Sequence, residues 1–172
     1  MLIWSIVILL IVLVDQLTKW LVIANLEVGE SINLIPGIFR FTYVQNEGAA
    51  FGMLSDHRWV FMIISSVAIV GMFLYLWKLR PDSRWASCAI AMIIGGGIGN
   101  MIDRIYWNYV IDFIDFCAFP SVWMWVFNVA DACVCVGAGI LAVWCVISMI
   151  QEAKAEKAKK QQAEESQTGD PT

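Results

Sequence analysis

Four long apolar stretches dominate the chain. Residues 59–77 (WVFMIISSVAIVGMFLYLW), 85–102 (WASCAIAMIIGGGIGNMI) and 132–150 hold no charged residue, and each approaches the roughly 20 residues that a membrane-spanning helix needs. A fourth stretch, residues 2–14, is interrupted by DQLTK (15–19) and resumes as WLVIAN (20–25). Taken as one helix, residues 2–24 also span. A cleaved leader fits less well, because no basic segment opens the chain and no A-x-A-like site follows the apolar run. The pattern predicts four transmembrane helices at about 2–24, 59–78, 85–102 and 122–150.

Between the first two helices the period changes. In IFRFTYVQ (38–45), Phe39, Phe41 and Tyr43 alternate with Arg40 and Thr42, which is strand periodicity. Pro36-Gly37 marks a turn before it. The segment 27–45 therefore predicts a small β-sheet, followed by the small-residue stretch NEGAAFG (46–52). Residues 151–172 turn polar and carry charges of both signs, so a solvated and disordered tail is expected. The expected fold is an all-α integral membrane protein, with a four-helix domain over 1–150, a small extracytoplasmic sheet and a polar tail.

Composition agrees: 60% of the 172 residues are apolar and 15% are charged. Charge also orients the helices. Lys78, Arg80 and Arg84 between helices 2 and 3, with Lys154, Lys157, Lys159 and Lys160 in the tail, outnumber Lys19, Arg40, Arg58 and Arg104 on the other side. Both termini are thus expected to be cytoplasmic, with the 25–58 and 103–121 segments outside. A net charge of −4 without a basic, aromatic-interleaved patch gives no reason to expect a nucleic-acid partner. Cys88, Cys117, Cys133, Cys135 and Cys145 show no metal-ligand spacing and read as small packing residues.

The polar residues inside this apolar background are few and fall at one depth. Asp15 lies roughly 20 Å along helix 1 at 1.5 Å per residue, in the outer half of the bilayer core. Lys19 sits one turn further on the same face. Asn100, Asp103 and Arg104 lie at the outer end of helix 3, and Asn128 and Asp131 near the outer start of helix 4. Asp112 and Asp115 lie in the segment just before it. Each has a plain structural reading: an intrahelical Asp15–Lys19 pair, interface charges at Asp103 and Arg104, interhelical amide bonds from Asn100 and Asn128, and close packing at Gly95, Gly96, Gly97 and Gly99. Asp131, alone in a long apolar stretch, needs a partner or a raised pKa. Ionisable groups in spanning helices cost at least ~2.5 kcal/mol by insertion scales and mark functional sites. Their convergence predicts one shared polar site near the outer leaflet.

Which chemistry could it run? The single histidine, His57, excludes an HExxH metalloprotease. No G-x-S-x-G nucleophile, P-loop or dinucleotide fingerprint is present. Carboxylates remain. Two of them in one apolar site can share a proton, one acting as acid and one as base on water. The same carboxylates could line a proton path in a transporter or channel subunit, although such proteins usually show internal repeats or polar groups on both sides of the midplane.

The motifs DQLTK (15–19), NEGAAFG (46–52), GGGIGNMIDR (95–104), VIDF (110–113) and FNVAD (127–131), in this order and spacing, resemble those of lipoprotein signal peptidase (signal peptidase II). The resemblance implies an aspartic endopeptidase of the bacterial cytoplasmic membrane that works without metal or cofactor. Such an enzyme removes the signal peptide from prolipoproteins just before a diacylglyceryl-modified cysteine. It implies a catalytic pair at Asp112 and Asp131. Asp15, Lys19, Asn46, Gly48, Asn100, Arg104, Asn128 and Ala130 match the surrounding positions that hold the pair, bind substrate backbone or shape the lipid-binding cleft. It also implies membrane lipids as surroundings and sensitivity to globomycin-type cyclic peptides. Asn108 stands where family members often carry glycine. The resemblance selects Asp112 over Asp115, which helical spacing would place on the same face; Asp115 is then expected to be an interface or loop-positioning residue, and Cys117 is given no role.

Overall fold

The computed structural model describes residues 2–48, 58–79, 81, 83–119 and 125–168. Four α-helices and four strands follow in the order α1 (Leu2–Asn25), β1 (Ser31–Ile35), β2 (Phe39–Asn46), α2 (Arg58–Leu74), α3 (Arg84–Tyr106), β3 (Val110–Phe116), β4 (Val126–Phe127) and α4 (Val129–Thr168). A π-helical turn, Tyr75–Leu79, extends α2. Part of the expected small-residue stretch (49–52), His57, and residues 122–124 of the expected fourth helix lie outside the described residues.

Helix α3 is the axis of the bundle and packs against α1, α2 and α4. Its small residues make this possible. Ala86, Ala89, Ala91, Gly95, Gly96 and Gly99 are all buried. A Cβ on Gly96 would strike the carbonyl oxygen of Ala130, and one on Gly99 would come within 2.5 Å of Asp15 Oδ2. Backbones touch here, as small-residue faces allow in spanning helices. Ser83 caps the start of α3, its hydroxyl accepting from the Ala86 amide at 3.3 Å. By contrast, α1 turns leucines such as Leu9, Leu10, Leu13 and Leu17 outward, a surface suited to lipid. Helices α1, α3 and α4 are long and apolar enough to cross a membrane, and Met62–Lys78 forms a shorter apolar helix.

The sheet is antiparallel in the order β1-β2-β3-β4. The β1–β2 hairpin confirms the period-2 reading of 38–45. β3 is a finding, since VIDFIDF gave no strand signal. Val110, Ile111, Asp112, Phe113 and Asp115 are all buried, so neither face shows the polar half of an alternation. The strand also corrects the helical spacing of Asp112 and Asp115. Three residues apart on a strand, they point to opposite faces. A core of Val22, Leu26, Tyr43, Ile111 and Phe113 seats the sheet on the end of α1. A second, of Leu76, Ile90 and Ile94, ties the end of α2 to α3.

Two boundaries differ from expectation. The fourth helix begins at Val129 rather than near 122, because Val126 and Phe127 pair with β3. It also runs unbroken to Thr168, so residues 151–168 are helical where composition suggested disorder. Alanine, glutamate, lysine and glutamine are strong helix formers, the preceding helix removes the nucleation barrier, and Glu156 pairs with Lys160 at 2.8 Å one turn on.

Candidate active site

The site lies where the sheet meets the helix ends. Asp103, near the end of α3, ties the pieces together. One oxygen accepts from Gln16 Nε2 at 2.9 Å, and the other accepts from the Ile111 amide of β3 at 3.1 Å. Lys19, 1% exposed, lies 2.8 Å from Asp15 and 2.7 Å from Asp103 and donates to Asn100 Oδ1 at 2.9 Å. All three of its protons thus have partners. Asp15 Oδ1 accepts from the Ala130 amide of α4 at 2.9 Å. A buried ammonium between two buried carboxylates joins α1, α3 and α4.

The second group begins at the start of α4. Asn128 caps that helix, its Oδ1 accepting from the Asp131 amide at 2.8 Å, while Asp131 Oδ2 accepts from the Asn128 amide at 3.3 Å. This is the reciprocal arrangement of a capping box, and Asp131 in the first turn also gains from the helix dipole. The Asn128 side chain does more. Its Nδ2 donates to Asp112 Oδ1 at 2.6 Å and to Asn100 Oδ1 at 3.1 Å. Asn100 in turn donates to Asp131 Oδ1 at 2.7 Å, and Asn46 donates to Asp112 Oδ2 at 2.8 Å. The Gly48 amide fixes Asn46 by donating to its Oδ1 at 3.1 Å. Arg104 reaches back to the Asn100 carbonyl at 3.1 Å.

All ten residues singled out in the sequence therefore converge. Asp103, expected at the shared polar site but given no role in it, joins them, as does Gln16, which the sequence did not single out. Asp103 reads as half of an interface charge pair with Arg104, and Gln16 is a neutral side chain between two charged positions. The strength of the Asp103 signal lay in its burial, 0% exposed, which the sequence does not print. Asp115 belongs elsewhere: it pairs with Arg40 Nε at 2.6 Å on the opposite face of the sheet.

Asp112 and Asp131 differ from Asp15 and Asp103 in one respect. The hydrogen bonds they accept come from neutral amides, whereas Asp15 and Asp103 lie against Lys19. Both line a cavity of about 610 Å³. Asn46, Asn100 and Arg104 also line it, together with apolar side chains that include Ile69 and Met72 of α2, Ile93 of α3 and Val134 of α4. Burial, and then the nearby charge of Asp131, push the Asp112 carboxyl up to about 7. Its titration is thus moved from the acid range toward neutral pH. Among the described residues, no cluster of histidine, cysteine and carboxylate side chains could hold a metal ion.

Comparison with known proteins identifies the fold. A family model described as signal peptidase (SPase) II matches residues 7–147. The chain belongs to the signal peptidase II family. The lipoprotein signal peptidase of Halalkalibacterium halodurans is 43% identical over 92% of this chain and 98% of its own length. That of Halothermothrix orenii is 43% identical over 81% and 92%. A bacterial membrane enzyme solved by the in meso method at 2.3 Å has a TM-score of 0.79 and 27% identity, covering 85% of this chain and 88% of its own. Family membership makes the chain a peptidase of lipoprotein processing. Together with its apolar helices and that neighbour, it makes the chain a multi-pass membrane protein.

Proposed function

We propose that the chain is an aspartic endopeptidase that removes the signal peptide from diacylglyceryl-modified prolipoproteins, cutting just before the lipidated cysteine. The observation that carries this reading is the placement of two amide-held carboxyls, Asp112 and Asp131, on the wall of one cavity lined otherwise mostly by apolar residues. The chain's similarity to lipoprotein signal peptidases supports the substrate class.

The chemistry follows from the pair. One carboxylate takes a proton from water as the water oxygen attacks the scissile carbonyl. The other carboxyl gives its proton to the carbonyl oxygen, which forms a neutral gem-diol. The first then gives its proton to the leaving nitrogen, the α-amine of the lipidated cysteine, while the second takes back a proton from a gem-diol hydroxyl; the C–N bond breaks, leaving a carboxylic acid and a free amine with the pair in its starting state. A carboxyl titrating near 7 suits this exchange, since both forms are populated at working pH. The two titrate as a unit. Lys19, Asp15 and Asp103 hold the helices in register, and Asn100, Asn128 and Asn46 aim the carboxyl oxygens. Apolar walls from α2, α3 and α4 take the acyl chains or the signal peptide.

The proposed topology is four spans, with α2 and its π turn as the second. Residues 1–150 form the peptidase domain, and residues 151–172 extend α4 into the cytoplasm with the N-terminus on the same side. In the bacterial cytoplasmic membrane this puts the pair near the outer leaflet, level with the bond to be cut, and opens the cleft to globomycin-type cyclic peptides. A proton path fits less well, because the buried charges gather at one end of the bundle. Purified protein with a lipobox peptide bearing S-diacylglyceryl cysteine tests the reading. Cleavage of that peptide and not of its unmodified twin, lost in Asp112→Asn and Asp131→Asn, is expected. Turnover near wild type in either variant would overturn it.

A further inference from the structure

The register between β2 and β3 slips once. Phe39, Arg40 and Phe41 face Phe116, Asp115 and Ile114, but Val44, Gln45 and Asn46 face Asp112, Ile111 and Val110. Two residues of β2, Thr42 and Tyr43, thus stand against one of β3, Phe113. This is a β-bulge, and it decides the site's geometry. Side chains directly opposite share a face, and a slip of one residue turns every later side chain over. With the slip, Asn46 lies on the same face as Asp112 and donates to its Oδ2 at 2.8 Å. In an unbroken register Asn46 would stand on the other face, out of reach.

The bulge is held from the far side of the sheet. Asp115 Oδ2 accepts from Arg40 Nε at 2.6 Å and from Thr42 Oγ1 at 2.8 Å. Arg40 is in the register before the slip, and Thr42 is the first bulged residue. Thr42 also shares a hydrogen bond with Ser31 Oγ of β1 at 2.9 Å, while Tyr43 keeps β1-side backbone bonds through Glu30 and Gly29. One carboxylate, 8% exposed, therefore fixes where the slip occurs.

We infer that Asp115 is a positioning residue: by clamping the bulge through Arg40 and Thr42, it places Asn46 on Asp112. The inference rests on the aspartate-pair reading above. It gives a role to the second aspartate of VIDFIDF, which touches neither the cavity nor the pair. The bond from Asn46 favours the ionised form of Asp112, so its loss moves the pH profile of turnover upward. The other charged groups around Asp112 are Asp131 of α4, Asp15 and Lys19 of α1, and Asp103 and Arg104 of α3; none of them is altered by the variants below.

The test is a double-mutant cycle between Asp115→Ala and Asn46→Ala in the full chain, read by cleavage of the diacylated peptide. Asp115→Ala is expected to lower kcat about tenfold with KM within twofold, and to move the pH optimum upward as Asn46→Ala does. The double variant should fall no more than about twofold below Asn46→Ala, since coupled residues do not add. Asp115→Asn, which keeps an acceptor for Thr42, should restore most of the turnover. Thr42→Val leaves the Arg40–Asp115 pair intact and should reproduce part of the loss; it carries the same cycle if Asp115→Ala is not recovered folded. Multiplicative losses, or a loss with an unmoved pH profile, would overturn the inference. Asp112→Asn in the same assay separates the two readings: if it cleaves, the aspartate pair fails; if it is dead while the losses multiply, only the role of Asp115 fails.

Discussion

Two pairs of aspartates, all buried except the half-buried Asp131, share the end of this bundle, and they live differently. Asp15 and Asp103 flank Lys19 at 2.8 and 2.7 Å. Asp112 and Asp131 have asparagine and backbone amides instead. The first pair shares one ammonium at the place where three helices meet, and that shared cation makes it a joint. The second accepts its hydrogen bonds from neutral amides on the wall of the cavity. Burial alone does not set Asp112 apart from Asp15 and Asp103; the partner does.

The largest effect should come from the amide-held pair. Asp112→Asn or Asp131→Asn is expected to cut the cleavage rate by about 10³-fold or more, in the range of lost acid–base catalysis, with the fold retained by circular dichroism. The pair that shares Lys19 should answer in stability instead. Lys19→Met leaves two buried carboxylates without their cation, and a loss of about 3–5 kcal/mol in detergent unfolding is expected. A midpoint unchanged from wild type would erase the contrast.

A third measurement sharpens the comparison through pH. The Asp112 carboxyl rises from 3.8 to about 7, so the folded chain holds a proton that the unfolded chain gives up. Its contribution is fully present below pH 3.8 and is lost as pH rises through about 7. Asp112→Asn removes that loss. The variant should therefore be more stable than wild type at pH 8, by up to about 4 kcal/mol at ~1.4 kcal/mol per pH unit, and nearly equal to it at pH 4. A constant difference across the range would show that Asp112 is not the group titrating. Gly99→Ala should do less, about 1–3 kcal/mol of overpacking, by driving a methyl toward Asp15 Oδ2. The smallest loss should be in Asp115→Asn, which keeps most of the turnover.

Much of this was legible because polar residues stand out in apolar helices. Asp15, Lys19, Asn100, Asn128 and Asp131 announce themselves by interrupting hydrophobic runs, and the family motifs add Asn46 and Asp112. What stayed hidden was hidden for physical reasons. β3 buries both faces, so its aspartates recur every three residues and imitate a helix. Asp103 stands beside Arg104 at a helix end, where surface charges are common, and only the fold of β3 over it makes it interior. The bulge in β2 has no signature of its own, since Thr42 and Tyr43 continue the strand's alternation without a break. The helical tail was misjudged because composition weighs residues singly, whereas a helix already formed extends at little cost.

That tail gives the molecule a pointer. Helix α4 carries Asp131 in its first turn and continues for 40 residues, about 60 Å at 1.5 Å per residue. Geometry then works as a lever arm: each 5° of tilt at the Asp131 end displaces the far end by about 5 Å. A spectroscopic label near residue 168 would thus magnify into ångströms an adjustment at Asp131 too small to see there.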